Sequence, residues 1–185
     1  MRRDLGKNIL FLPQPVLIIS TYDENGVANA MNAAWGGQTD FDMISIALSS
    51  HKTTDNILKN KAFCVSFATK DTVVISDYFG IESGNKENKI AKAKANVIKS
   101  SFVNAPIILE YPLTLECEMV SYENEVLLGK VLNVSCDTKY LDQNNKVDVD
   151  KLGIITYDPI NHTYRELGKE VAKAFSIGKE LKWLI

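Results

Sequence analysis

The chain has 185 residues, of which 45% are hydrophobic and 24% are charged, so it is long enough for one domain with a sizeable core. Its formal net charge of −2 and its isoelectric point near 5.7 argue against nucleic-acid binding, which needs a clustered basic excess. The apolar stretches are too short for a membrane span, and charged and proline residues interrupt the first twenty positions. We therefore expect a cytoplasmic protein with neither a membrane nor a nucleic-acid partner.

The cysteines and histidines do not predict a metal site. Cys64, Cys117 and Cys136 are odd in number, widely spaced and set in apolar runs, which is typical of reduced core or half-buried thiols. His51 and His162 are the only histidines, and a CxxC pair is absent. Four close zinc ligands cannot be assembled from this set.

The first half of the chain predicts strands joined by short connections. An Asn-Gly pair in "DENG" (23–26) is a strong signal for a hairpin turn. The predicted strands are "VLIIST" (16–21), "VANAMNAAW" (27–35), "MISIALS" (43–49) and "AFCVSFAT" (62–69), with a short helix at "DNILKN" (55–60).

The second half combines helices with two long strands. "DTVVISDYFG" (71–80) predicts a helix, and "ESGNKENKIAKAKA" (82–95) predicts an exposed loop that leads into another. The runs at 107–122 and 125–138 predict a long antiparallel pair. Apolar residues at helical spacing in "RELGKEVAKAFSIG" (165–178) predict an amphipathic helix packed on the core. We expect a single domain over 1–185, mainly β with peripheral helices and close to a small β-barrel.

The stretch "SSHKTTDNI" (49–57) places hydroxyls and one cation just before the short helix. A helix that begins near Thr53 or Thr54 has free N–H groups at its start, and the hydroxyls of Ser49 and Ser50 with the ammonium of Lys52 would complete a phosphate cradle. The alternative is that Thr53 is an ordinary N-cap and Lys52 a solvated charge.

A second candidate site is "NAMNAAWGG" (29–37), where small residues and two asparagines occupy a predicted strand. Small side chains let a flat ligand approach the backbone, and Trp35 would then wall the pocket. The alternative is a strand whose alanines face a helix, with Trp35 in the core.

The chain lacks evident acid–base machinery. It contains no recognisable catalytic carboxylate pair, Ser/His/Asp arrangement or paired Cys and His, and neither GxGxxG nor the Walker pattern is present. A binding site without such groups fits a protein whose chemistry is carried by a bound cofactor.

Seven segments in order resemble the flavin reductase-like family of FMN-binding split barrels, especially its flavoredoxin branch. They are "PVLIIST", "NGVANAMNAAW", "ISIALSSHKTTDNI", "FCVSFAT", "DYFGIESGNKENK", "PLTLECEM" and "TYRELGKEVAKAFSIGKEL". The resemblance implies a homodimer of FMN-binding split β-barrels, with the cofactor near the interface of the two subunits.

The resemblance also implies which residues bind the cofactor. The phosphate loop would comprise Ser49, Ser50, Lys52, Thr53 and Thr54. The flavin-facing strand would comprise Asn29, Asn32, Ala33, Ala34 and Trp35, with the backbone of 32–34 near the polar edge of the ring. Lys89 would meet a second phosphate or the ribityl chain, and Tyr164 would lie near the ring. Asn88 stands where the family often has Asp, and Glu123-Asn124 where it often has Asp-His.

The function implied is an FMN-dependent oxidoreductase in which NADH or NADPH reduces the flavin and a second acceptor takes the electrons. One alternative is a flavoredoxin-type electron carrier that serves a partner protein without direct nicotinamide turnover. The other is a flavin-binding module without enzymatic activity.

Overall fold

The computed structural model describes residues 1–183, and strands dominate this part of the chain. The strands are β1 Gln14–Pro15, β2 Leu17–Tyr22, β3 Ala28–Ala33, β4 Gly36–Asp40, β5 Met43–Ala47, β6 Ala62–Phe67, β7 Val97–Lys99, β8 Pro106–Ile108, β9 Leu113–Glu123, β10 Val126–Cys136, β11 Ile155–Asp158 and β12 Thr163–Glu166. The α-helices are α1 Lys52–Asn60, α2 Val73–Ile81, α3 Lys89–Lys92 and α4 Val149–Leu152, and 3-10 turns span Lys70–Thr72, Thr138–Tyr140 and Ile177–Trp183. Among the helices of residues 1–183, none has the length and apolar character to cross a membrane.

Seven of the strands form one antiparallel sheet that curls into a half-barrel. Their order is β3-β2-β6-β9-β10-β5-β4. Two small sheets, β1-β11-β12 and β7-β8, lie beside it. The expectation of a single, mainly β domain with peripheral helices is confirmed.

The two longest strands, β9 and β10, are the antiparallel pair that the sequence predicts. Their register shifts at Leu128/Gly129 and again between Val131 and Asn133, which are β-bulges that bend a long strand. Gly129 is required at the first shift, because a Cβ there would overlap the ring of buried Phe63. The bend curls the sheet around the core.

Strand β2 is buried on both faces, which explains its unbroken apolar run. Leu17 and Ile19 face the half-barrel core with Phe63. Ile18, on the opposite face, joins a second core that includes Phe79 from α2. Helices α2 and α3 therefore cover the outer face of the sheet at β2 and β3.

The predicted amphipathic helix at 165–178 is wrong. Residues 163–166 form β12, residues 167–176 have no regular helix, and Val171 and Phe175 are 98% and 101% exposed. The apolar stripe is present in the sequence, but the single chain places no core surface beneath it. Short helices without such packing are marginal in water.

Candidate functional site

A cleft of about 410 Å³ lies between the start of α1 and the end of α2. Its walls come from β3, the first turn of α1, the last turn of α2, the 82–85 segment and α3. The lining residues are Asn29, Met31, Asn32, Ser50, His51, Lys52, Thr53, Phe79, Gly80, Ile81, Glu82, Ser83, Gly84, Asn85 and Lys89. The cleft therefore brings together parts of the two candidate segments of the sequence, residues 50–53 of the first and Asn29, Met31 and Asn32 of the second.

The start of α1 is open for an anion. The helix begins at Lys52 after the extended residue His51, and no side chain caps it. The first intrahelical bond runs from Asp55 N to His51 O (3.0 Å), so the N–H groups of residues 52–54 precede the helical ladder. The alternative of Thr53 as N-cap is wrong. An uncapped helix start concentrates N–H donors and positive potential at one place.

Buried hydrogen bonds fix the polar side chains beside this helix start. Asn29 Nδ2 donates to Thr53 Oγ1 (2.7 Å), which ties β3 to α1 and leaves the threonine hydroxyl proton free to donate. Thr54 Oγ1 donates to the carbonyl of Ser49 (2.8 Å) and holds the approach to the helix. These bonds keep the donors in place before any ligand arrives.

Lys52 supplies a half-buried positive charge at the cleft. Its Nζ lies 3.7 Å from Asp23 Oδ2, at the turn between β2 and β3. The hydrogen bond from the backbone N–H of Val27 is the largest cause that lowers the pKa of Asp23, and Asn25 N–H and Lys52 lower it further. Asp23 is therefore ionised at neutral pH and orients Lys52.

Lys89 is the second cation of the cleft, and it is only 3% exposed. Its Nζ donates to the carbonyl oxygens of Phe79 (2.9 Å) and Glu82 (3.0 Å). Burial lowers the pKa of Lys89 to about 8, although the negative charges of Glu82 and Glu87 act in the opposite direction. Most of its hydrogen-bonding capacity is thus directed at the protein.

Close packing narrows the cleft at two glycines. A Cβ on Gly80 would lie 3.2 Å from Asn32 Cβ, so α2 approaches β3 closely at this point. A Cβ on Gly84 would overlap Asn29 Oδ1 and would lie 3.2 Å from Lys52 Cδ. The main chain at 84 therefore touches the opposite wall.

The structure brings six of the twelve candidate residues to the cleft and places the others elsewhere. The six are Asn29, Asn32, Ser50, Lys52, Thr53 and Lys89. Ser49 and Thr54 lie just behind them, and Ala33 packs against the half-barrel core.

Trp35 and Tyr164 lie outside this cleft. Trp35 is 70% exposed, so its assignment to the core is wrong, and with Ala34 and Phe11 it borders a separate cavity of about 530 Å³. Tyr164 donates its hydroxyl to Asp77 Oδ1 (2.6 Å), which joins β12 to α2. Burial and this carboxylate raise the pKa of Tyr164.

Sequence reasoning missed Asp23, Gly80 and the wall formed by 82–85. Asp23 belongs to a stretch that signals only a turn, so no pattern reveals its contact with Lys52. The Ser-Gly-Asn tripeptide at 83–85 is a usable signal, because it interrupts a polar loop between two helices.

The fold is a curled antiparallel half-barrel, and its cleft presents N–H donors and a lysine that can bind an anion. Comparison with known protein families agrees with this fold. Residues 9–151 match the family described as "Flavin reductase like domain". The chain belongs to the flavin reductase-like family.

Flavoredoxins are among the solved structures that this chain is similar to. Flavoredoxin of Desulfovibrio vulgaris (Miyazaki F) is 30% identical, with a TM-score of 0.93 and coverage of 97% of this chain and 100% of that chain. Flavoredoxin from Methanosarcina acetivorans is 26% identical, with a TM-score of 0.89 and coverage of 98% and 99%. A protein of Aquifex aeolicus without an assigned function is 27% identical in an alignment of 178 positions, which covers 90% of this chain and 87% of that protein.

Proposed function

We propose that the chain binds FMN in this cleft, with the phosphate at the start of α1. The observation that carries the proposal is the uncapped α1 N-terminus beside Lys52 and Thr53. The cleft volume of about 410 Å³ falls within the range of small-molecule sites, roughly 300–1,000 Å³. The residues present therefore fit a phosphorylated cofactor.

The other walls suit the remainder of the cofactor. Asn29 and Asn32 supply amide groups, and Met31 supplies an apolar surface. Strand β3 lies at one edge of the described seven-stranded sheet, so its backbone groups that point away from β2 can meet a polar ring edge. When bound, FMN supplies hydride and one-electron chemistry. The protein side chains bind and orient it, and no side-chain acid or base is needed.

The reaction we infer is an oxidoreduction in which NADH or NADPH reduces the flavin and a second acceptor receives the electrons. Membership of the flavin reductase-like family supports this reaction. A second candidate is a flavoredoxin-type carrier that passes electrons to a partner protein. The similarity to two flavoredoxins along nearly the whole chain favours it.

Replacing Lys52 by Ala tests the phosphate site. FMN affinity is expected to fall about tenfold or more while riboflavin affinity is nearly unchanged, because a charge-assisted hydrogen bond to phosphate is worth roughly 1.5–3 kcal/mol. Fluorescence quenching of each flavin measures this. Lys59→Ala is the matched control, since Lys59 lies in the last turn of α1 and pairs with exposed Glu24 (3.1 Å). Equal losses for FMN and riboflavin would exclude a phosphate contact by Lys52.

Anaerobic mixing of the FMN-loaded protein with NADH and with NADPH separates the two reactions. Rapid loss of the flavin absorbance after mixing with either nicotinamide supports the reductase. Absence of bleaching with both nicotinamides, together with rapid electron exchange with a redox protein, supports the carrier. A bound flavin that is inert to reductants and acceptors would leave only a binding module.

We also infer that the protein works as a cytoplasmic homodimer. The cavity beside Trp35 is lined by exposed apolar side chains, among them Ile9 and Phe11, which a second copy would cover. Sedimentation analysis of the protein and of Trp35→Asp is the test. A monomer at micromolar concentration in the unmodified protein would contradict the dimer.

A further inference from the structure

Helix α3 and the residues beside it form a basic segment in an acidic chain. Residues 82–94 contain four lysines and two glutamates, a net charge of +2, whereas the whole chain has a formal net charge of −2. One of the four, Lys89, is buried and donates to main-chain carbonyls, so it offers little charge to an external partner. The other three are exposed. We call Lys86, Lys92 and Lys94 the rim lysines.

The rim lysines have no acidic partner in the part of the chain that the structure describes. Lys59, Lys70 and Lys130 each have a carboxylate oxygen close to Nζ, at 3.1, 3.1 and 3.6 Å. No described carboxylate makes such a contact with a rim lysine. Unpaired ammonium groups on one short segment retain their attraction for a negative charge outside the molecule.

The fold places these charges beside the mouth of the cleft. Lys86 follows directly after Asn85, and Asn85 lines the cleft. Lys92 lies three positions after Lys89 on α3, and Lys89 lines the cleft as well. Residues three apart on a helix are surface neighbours, with Cβ atoms roughly 5–6 Å apart. The positive charge therefore lies next to the opening.

Packing of α3 turns the rim lysines outward. Ile90 is 7% exposed and packs in the second core, and Ala93 is half-buried against the same core. The chain then turns at Lys94, whose N–H donates to the carbonyl of Ala91 (3.1 Å) in a left-handed conformation (φ 53°). One side of this short segment is thus held by the protein, and the lysines occupy the other.

The mouth of the cleft also presents an exposed apolar side chain. Ile81 ends α2, lines the cleft and is 70% exposed. An apolar contact with charged residues around it is the composition of a protein–protein interface. One such side chain offers little apolar area for insertion into a bilayer. The net charge of −2 disfavours nucleic acid. These features favour a protein partner.

We propose that the rim lysines and Ile81 form a docking surface for the acidic face of a small electron-transfer protein. This inference rests on the proposed FMN site, because docking here brings the partner next to the cleft. Two electrons leave the reduced cofactor, one in each of two encounters, so two one-electron acceptors are reduced and protons pass to solvent. Such encounters bury little surface, below about 1,200 Å², and depend on charge complementarity for their rate.

The test measures electron transfer from the FMN-loaded protein, reduced beforehand with dithionite, to acidic cytochrome b5 and to basic cytochrome c. Haem absorbance after rapid mixing gives the second-order rate constants. The rate constant with cytochrome b5 should fall as ionic strength rises to roughly 0.15 M, where the Debye length is about 8 Å, and that with cytochrome c should not fall. Calorimetric binding of oxidised cytochrome b5 is a second readout, independent of electron transfer.

Charge reversal identifies the residues. Lys92→Glu with Lys94→Glu should lower the rate constant and the affinity with cytochrome b5 about tenfold at low ionic strength. FMN affinity should not change, because neither side chain lines the cleft. Lys61→Glu with Lys99→Glu is the matched control, since it changes the net charge equally but lies at a different cavity, beside the C-terminal end of α1. Its loss should not exceed about twofold, because exposed distant charges are screened.

A milder variant separates attraction from repulsion. Lys92→Gln with Lys94→Gln removes two positive charges without adding negative ones, so its loss should lie between those of the unmodified protein and the double reversal. Equal losses in the double reversal and in its control would overturn the proposal. So would a cytochrome b5 rate constant that does not depend on ionic strength. Stronger binding to phosphatidylserine vesicles than to cytochrome b5, lost in the double reversal, would assign the surface to a membrane instead.

Failure of the proposed function is visible separately. If the protein does not bind FMN, the proposed function fails, and the electron-transfer role of the surface fails with it even when cytochrome b5 binding responds to the double reversal. If FMN binds and Lys52→Ala weakens it while the double reversal leaves cytochrome b5 binding and reduction unchanged, the docking surface alone is wrong.

Discussion

Adding one methyl group at Gly84 measures how tightly the cleft is closed. An alanine Cβ would overlap Asn29 Oδ1 and lie 3.0 Å from Asn29 Cγ. Asn29 cannot turn aside without losing its buried hydrogen bond to Thr53 (2.7 Å), a loss that costs roughly 1–3 kcal/mol. Replacing Gly by Ala also restricts the unfolded chain, which stabilises the folded state by about 0.4–1 kcal/mol and offsets part of this loss. The net expectation is a free energy of unfolding lower by about 1–2 kcal/mol.

The assay follows unfolding and FMN binding together in Gly84→Ala. The melting temperature should fall by roughly 2–8 °C, at about 2–4 °C per kcal/mol for a domain of this size. FMN affinity should fall about 5–30-fold if the loop moves to relieve the overlap, since that range corresponds to about 1–2 kcal/mol. Gly37→Ala is the control, because a Cβ there meets no atom within 4 Å.

A double-mutant cycle identifies the clashing partner. The overlapping oxygen is absent when Asn29→Ala is combined with Gly84→Ala. The double variant should therefore lose less free energy of unfolding than the sum of the two single variants, by about 1 kcal/mol. If Gly84→Ala behaves like Gly37→Ala in both assays, the loop does not press on Asn29, and the reasoning about the closed wall fails.

Three further predictions concern charge and thiols. Asp23→Asn removes a negative charge beside the cleft lysine, so FMN should bind about two- to fivefold more tightly and riboflavin unchanged in titrations; weaker FMN binding would mean that orientation outweighs repulsion. Because the pKa of Lys89 is lowered from 10.5 to about 8, the folded state binds this proton less tightly than the unfolded state, and stability should rise between about pH 8 and 10.5. Denaturant titrations should show that Lys89→Met removes this rise, up to about 3 kcal/mol, and an unchanged slope would contradict it. Burial raises the pKa of Cys64 and Cys117, so a thiol reagent followed by mass spectrometry should label Cys136 first, whereas equal rates would show that the core opens readily.

The predictable parts of the fold are those that depend on neighbours in sequence. The Asn-Gly pair gives the turn between β2 and β3, and the runs around Cys117 and Gly129 give the long pair β9 and β10. The sequence also predicts a helix start beside the cluster of hydroxyls and Lys52, and α1 begins there. Each signal acts within a few residues, where turn chemistry and side-chain alternation are decisive.

The tertiary structure decided what lies opposite these elements. Asn29 meets Thr53 across 24 positions, and Tyr164 meets Asp77 across 87, distances over which no local pattern operates. The same limit explains why the helix predicted at 165–178 is wrong. Its apolar stripe can be read from neighbouring residues, but the surface on which such a helix would pack depends on the whole fold. The sequence by itself determined the strands, the turn and the charged helix start, because these follow from backbone geometry and local chemistry. Only the folded chain shows that the Lys89 ammonium donates to the carbonyls of Phe79 and Glu82, because the end of α2 presents these carbonyls in three dimensions.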